Sequence, residues 1–213
     1  MLLNITNGDY LNAKLSKKYE GEFFPFREAI IQGEVTSTVL DDEFIKVRAK
    51  SLGVSEEYYK QNAEKLIDFT KNHNKYSSLK LWFGKDTFCQ LNLLTLLALL
   101  EQINYIGEIS LVLIDDETGS IIGQEKRVEL GVYREIYNKI LIEKQPTSKL
   151  GDIDERAIEL YFDYLSLDGY LANLIRENLS LSEDELMVLL LNSSKEYGLS
   201  DLNIRELIAR VKI

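Results

Sequence analysis

The chain has 213 residues, 45% hydrophobic and 28% charged, with 25 Lys and Arg against 35 Asp and Glu and a formal charge of −10. That apolar content suits one large domain, or one domain with a small appendage, and argues against wholesale disorder. The acidic balance opposes the counterion release that drives most binding to nucleic acid and anionic lipid, so general nucleic-acid affinity is disfavoured.

Residues 2–6 form a short apolar run that stops at Asn7-Gly8-Asp9, and residues 11–15 can begin a helix, which reads as strand, turn, helix. Residues 22–26 are an aromatic-rich second strand ending at Pro25-Phe26-Arg27-Glu28, and Gly33 closes the loop after it. Leu40, Phe44, Val47 and Leu52 recur at helical spacing before Gly53, a common helix terminator. A second helix is expected over residues 55–73, capped by Ser55, with Tyr58, Leu66 and Phe69 on its apolar side. These helices read as an insertion at about residues 38–75.

Residues 79–83 are a third strand, bounded by Gly84-Lys85-Asp86, leading into a helix over residues 87–102 that is apolar nearly all round and therefore central. The β-branched run 109–114 is a buried fourth strand ending at Asp115-Asp116, with a turn at Glu117-Thr118-Gly119-Ser120 and a helix over residues 132–142 after it. The stretch Gln145-Pro146-Thr147-Ser148 is the best boundary, separating an α/β domain at residues 1–145 from a helical domain at residues 150–213. Helices are expected there over residues 153–178, after a capping box of Ser182 with Glu185, and over residues 202–211. Alternating strands and helices favour an α/β fold with a mostly parallel open sheet, Rossmann-like, plus a small all-α C-terminal domain.

The only cysteine is Cys89 and the only histidine is His73, so an internal disulfide is impossible and a Cys/His zinc site lacks ligands. A reducing compartment fits. The start, Met1-Leu2-Leu3-Asn4-Ile5, does not read as a signal peptide, and the longest apolar run, residues 91–100, is interrupted by Asn92 and Thr95. That run falls short of the roughly 20 residues a membrane span requires. The expectation is a cytoplasmic protein with no membrane partner.

In an open α/β sheet, ligands bind outside the carboxyl ends of the strands. Parallel neighbours would gather Asn7, Gly8, Asp9, Arg27, Glu28, Lys85 and Asp86 on one rim, with Gln90 one turn beyond Asp86 on the same helix face and Trp82 as pocket wall or core. Each has a plainer role: turn chemistry for Asn7-Gly8-Asp9, a helix cap for Asp86, and a surface ion pair for Arg27 with Glu28. Cys89 reads as a small buried hydrophobe and His73 as a solvated helix-end residue, which leaves a hydrolytic triad without its histidine. Tyr10 stands where a Gly-Asp-Ser esterase loop would carry its nucleophile. The last helices could imitate a helix-turn-helix, but Arg205, Arg210 and Lys212 lie among Glu183, Asp184, Glu185 and Glu206, which favours plain packing.

Three groups of residues together resemble the bacterial family catalogued as domain of unknown function 1835. They are Asn7-Gly8-Asp9 after the opening strand, Pro25-Phe26-Arg27-Glu28 leading to Gly33, and Trp82-Phe83-Gly84-Lys85-Asp86 before Cys89-Gln90-Leu91-Asn92. The resemblance covers about the first two-thirds of the chain, and the helical remainder is similar to the companion domain catalogued as 3658. Gly84 lies where the family usually has an acidic residue, and Glu34 follows Gly33 where proline is common. The resemblance implies architecture and no reaction.

The leading expectation is a protein binding a polar or anionic small molecule at the strand-end rim. The residues assign no catalytic group, cofactor, metal or oligomeric state. A second reading is a metal-dependent phosphoryl-transfer or nucleotide-hydrolysing enzyme using Asp9 and Asp86, with Arg27 or Lys85 stabilising charge. A third is a regulatory or protein-interaction module using the C-terminal helices.

Overall fold

The computed structural model describes residues 1–115 and 118–212, so Asp116 and Glu117, expected at a strand end and in a turn, lie outside the described residues. One sheet is formed by β1 (Leu2–Asn7), β2 (Glu22–Phe26), β3 (Ser78–Phe83), β4 (Glu108–Ile114) and β5 (Ile121–Arg127), in the order β2-β1-β3-β4-β5. The first four strands are parallel: Ile5 stands opposite Phe24 on one side and Leu81 on the other, and Leu81 stands opposite Leu111. β5 runs antiparallel to β4, with an irregularity between Leu111 and Leu113. The sequence pattern gives no sign of this strand, because its residues Gln124, Glu125, Lys126 and Arg127 are exposed and show no apolar alternation. Backbone pairing with β4 makes it, joined by the Lys80–Glu125 ion pair at 2.9 Å, and its charges suit an open edge.

The strand order reverses between β1 and β3, which places α1 (Gly8–Leu15) and α5 (Thr87–Gln102) on opposite faces of the sheet. The two-residue period of the strands sorts their side chains accordingly. Leu3, Ile5, Leu79, Leu81 and Phe83 join the large core with α5, while Trp82, Val112 and Ile114 join a smaller one with Leu11 and Leu15. Residues 89–100 of α5 are all buried, as a helix apolar on every side requires. A Leu→Ala change at Leu93 or Leu96 would cost about 2–5 kcal/mol.

The insertion comprises α2 (Asp42–Leu52), α3 (Glu56–Asn62) and α4 (Glu64–Asn72), then a 3₁₀ turn at His73–Lys75. Asp41 accepts from the Phe44 N–H at 2.7 Å to start α2, Gly53 ends it, and Ser55 accepts from the Tyr58 N–H to start α3. The single helix expected over residues 55–73 is broken at Ala63, whose φ of −88° and ψ of 0° leave the helical region. Within α3, Tyr59 forms the buried face at 4% exposure, whereas Tyr58, expected on the apolar side, lies outside at 55%.

On the far side of α5 lie α6 (Tyr133–Tyr137), continued by a π-helical turn at Asn138–Ile142, and α7 (Glu155–Leu165). α8 (Tyr170–Glu177), α9 (Glu183–Ser193) and α10 (Asp201–Val211) complete the chain. The helix expected over residues 153–178 is divided at residues 166–169, where Gly169 sits so near the Asp163 carbonyl that a Cβ would collide with its oxygen. The capping box of Ser182 with Glu185 is present. Side chains of α7 to α10 share the core cluster of the sheet and α5. Among the described residues no helix is long and apolar enough to cross a membrane.

Candidate functional site

Four parallel strands present their carboxyl ends along one edge, and two cavities open there. The first, of about 340 Å³, lies at the ends of β1 and β2. Asn7, Gly8 and Asp9 reach it from the β1–α1 junction, Phe26, Arg27 and Glu28 from the end of β2, and Phe88 from α5. The insertion supplies the remaining wall through Leu52, Val54, Tyr58, Tyr59, Asn62 and Ala63. Five residues singled out from two places in the sequence thus meet: Asn7, Gly8, Asp9, Arg27 and Glu28.

Arg27 does not pair with its neighbour Glu28. Its Nε donates to both Asp9 carboxylate oxygens at 3.0 Å, its Nη2 donates to Oδ1 at 2.8 Å, and Nη1 donates to the Asn62 carbonyl at 3.4 Å. Both side chains reach solvent, at 37% for Arg27 and 66% for Asp9. The hydrogen bond to Asp9 raises the Arg27 guanidinium above its ordinary range, reinforced by the Asp9 charge and opposed by partial desolvation. An exposed pair of this kind is worth at most about 1 kcal/mol, so a ligand can open it at small cost.

Glu28 turns the other way and is buried. Arg48 of α2, with no exposed side-chain surface, donates through Nε to Glu28 Oε2 at 3.2 Å, and the Tyr59 hydroxyl donates to Oε1. The remaining Arg48 donors hold the carbonyls of Gln32 at 2.7 Å, Glu34 at 3.0 Å and Ala29 at 2.9 Å. Burial pushes the Glu28 carboxyl above the usual carboxylate range, against the opposing pull of Arg48, the Tyr59 hydroxyl and the Ala29 N–H. The Tyr59 hydroxyl is pushed far up, by burial first and then by the Glu28 charge. The cluster ties the end of β2 to α2 and α3, the two helices that wall the cavity. Sequence reasoning missed Arg48. The available signal was its place four residues after Phe44, on the buried face of α2.

A second buried network braces the cavity floor. Asn7 has no side-chain capping bond to α1; instead its Nδ2 donates to Cys89 Sγ at 2.8 Å and its Oδ1 accepts from Asn92 Nδ2 at 2.9 Å. Asn92 also donates to the Glu28 carbonyl at 2.7 Å and accepts from the Ile30 N–H at 3.2 Å. The polar pair Cys89 and Asn92 on α5 therefore positions the ends of both β1 and β2. Cys89 is buried, as expected, but its sulfur takes part in this network.

Four expected site residues are not brought to this cavity. Trp82 points to the opposite face of the sheet, 2% exposed, stacked near Tyr19 and donating to Asn4 Oδ1 at 3.0 Å. An alternating strand sends Trp82 away from the α5 face that Leu81 and Phe83 occupy. Gln90 is fully buried between the Gly84 carbonyl, at 2.6 Å, and the Asp154 N–H, at 2.9 Å, because α7 packs against that face of α5. Lys85 and Asp86 line the second cavity, of about 300 Å³, with Asp115, Arg156, Lys195 and Glu196. Asp86 caps α5, its Oδ1 accepting from the Cys89 N–H at 2.9 Å. Phe88 walls the first cavity and Asp86 the second, so the first turn of α5 stands between them. Asp9 and Asp86, the carboxylates considered for a shared metal, are thereby divided between cavities. Among the described residues no group of three or more His, Cys, Asp and Glu side chains is arranged to hold a metal ion.

His73 packs beside Phe69 and Tyr105, its Nδ1 2.9 Å from the Thr70 carbonyl, which anchors the helix end rather than a site. Sheet order and rim together define a doubly wound α/β protein with a preformed cavity at its strand ends. Comparisons with protein families, curated proteins and solved structures find no match for the chain.

Proposed function

We propose that this protein binds a polar or anionic small molecule in the cavity at the ends of β1 and β2. The observation that carries the reading is the convergence of Asn7, Gly8, Asp9, Arg27 and Glu28 on one concave space of about 340 Å³. A cavity of that size is at the lower end of the roughly 300–1,000 Å³ typical of small-molecule sites. Its chemistry is mixed in the way such sites are: an apolar wall of Phe26, Leu52, Val54 and Phe88 faces the charged Arg27 and Asp9. Arg27 is the group best suited to an anion, since it keeps its charge and donates in a planar fork.

The buried Glu28 is given a supporting role, because both its oxygens are already engaged. Kinship with the domain of unknown function 1835 family belongs to the same proposal and adds architecture only. The test is a thermal-shift screen of a small-molecule collection against the wild type and Arg27→Ala. A ligand that binds the folded state stabilises it by mass action. Stabilisers that act on the wild type and not on Arg27→Ala support the site. The same set of stabilisers for both proteins would remove Arg27 from it.

A further inference from the structure

The charged groups at the mouth of the first cavity narrow the ligand further, provided that this cavity is the binding site. Arg27 and Asp9 satisfy each other there: three donor contacts of 2.8–3.0 Å join a guanidinium and a carboxylate that are both partly open to solvent. A pure anion taking Arg27 would be repelled by the Asp9 carboxylate beside it, and a pure cation taking Asp9 would be repelled by the Arg27 guanidinium in the same way. A polyphosphate would bring several negative charges to a single guanidinium, with the Asp9 carboxylate adjacent. The chain's overall charge of −10 adds to that repulsion. A ligand carrying one carboxylate and one ammonium on the same carbon leaves neither group unpaired. Behind the pair the wall is apolar, through Phe26, Phe88, Leu52 and Val54, and the space of about 340 Å³ suits one modest side chain rather than a dinucleotide.

We infer that the cavity takes a free apolar α-amino acid, whose carboxylate replaces Asp9 on Arg27, whose ammonium replaces Arg27 on Asp9, and whose side chain lies against Phe26, Phe88, Leu52 and Val54. The Asp9–Arg27 ion pair then holds the place of the ligand's zwitterionic head when the cavity is empty. Opening it costs little, because an exposed pair of this kind is weak, and two charge-assisted contacts replace it.

The experiment is calorimetric titration of the full chain with L-leucine and L-phenylalanine, beside 3-phenylpropanoate, which lacks the ammonium, phenethylamine, which lacks the carboxylate, and adenosine monophosphate. At least one amino acid is expected to bind, with each truncated phenylalanine analogue at least about tenfold weaker than phenylalanine, or undetected where leucine is the ligand. Arg27→Gln should abolish binding. Asp9→Asn should bring phenylalanine and 3-phenylpropanoate to within about threefold of each other, a change that mere loosening of the fold would not produce. Equal wild-type affinity for phenylalanine and 3-phenylpropanoate overturns the zwitterion assignment, as does binding of adenosine monophosphate that depends on Arg27 while neither amino acid binds. Where that binding depends on Arg27, the cavity remains the binding site. Arg27-independent binding of every probe, or failure of all of them to bind at millimolar concentration, overturns the amino-acid assignment. The cavity reading then stands or falls on the wider Arg27→Ala screen.

Discussion

The buried Glu28–Arg48–Tyr59 cluster allows the closest physical test. Arg48→Met replaces a fully buried cation with a neutral side chain, leaving Glu28 with the Tyr59 hydroxyl and the Ala29 N–H. Stripping one partner from a buried ion pair costs about 3–5 kcal/mol. The carbonyls of Ala29, Gln32 and Glu34 lose their donors as well, so the upper part of that range is expected. Against a total stability of about 5–15 kcal/mol, this should lower the melting temperature by about 10 °C or more.

Glu28→Gln in the Arg48→Met background removes the stranded charge, and the double variant should be less destabilised than the sum of the single ones by about 1–3 kcal/mol. Glu28 also sets a pH dependence. Its folded pKa lies above the ordinary 4.5, so the native protein holds the proton more tightly than the unfolded chain. Its contribution to stability is therefore fully present below 4.5 and is lost as pH rises through the folded value. Arg48→Met raises that folded value further, so its deficit should shrink as pH is lowered and widen as pH rises. Urea denaturation of the four proteins across that range measures both effects. Additive single and double variants, or a deficit in Arg48→Met indifferent to pH, would refute the account of a charge-compensated buried carboxyl.

Trp82→Phe removes the indole donor from buried Asn4 and should cost about 1–3 kcal/mol by denaturant titration, while ligand binding at the first cavity stays at the wild-type level. Asn92→Ala strands the Ile30 N–H, the Glu28 carbonyl and Asn7 Oδ1 together, so both stability, by about 2–4 kcal/mol, and calorimetric affinity at the cavity should fall. Gly198 has a φ of +66°, and a Cβ there would collide with Asp86 Oδ1 and lie 2.9 Å from Phe88 Cβ. Gly198→Ala should therefore destabilise by about 1–3 kcal/mol, visible as a lower melting temperature.

By itself the sequence determined the local elements whose signals are local. β2 and α5 fall where their aromatic and apolar runs place them, and Asp86, Ser55 and Ser182 cap the helices they precede, because side chain and backbone there lie within a few residues of each other. The parallel order of β1 to β4 stemmed from the helices between them, and with it the gathering of Asn7, Asp9 and Arg27 at one edge. Tertiary structure alone decided the partners. Arg27 bonds Asp9 rather than adjacent Glu28, because the end of β2 turns one side chain to the mouth and the other to the core. Arg48 becomes a buried counter-ion because α2 folds back over that end, a contact 20 residues away that no periodicity records. β5 lies outside pattern reading because it is held chiefly by backbone pairing with β4, and the rim divides in two because the start of α5 stands between the cavities, Phe88 lining one and Asp86 the other. Such pairings depend on distances through space, and a linear order of residues encodes them only through the packing of the whole chain.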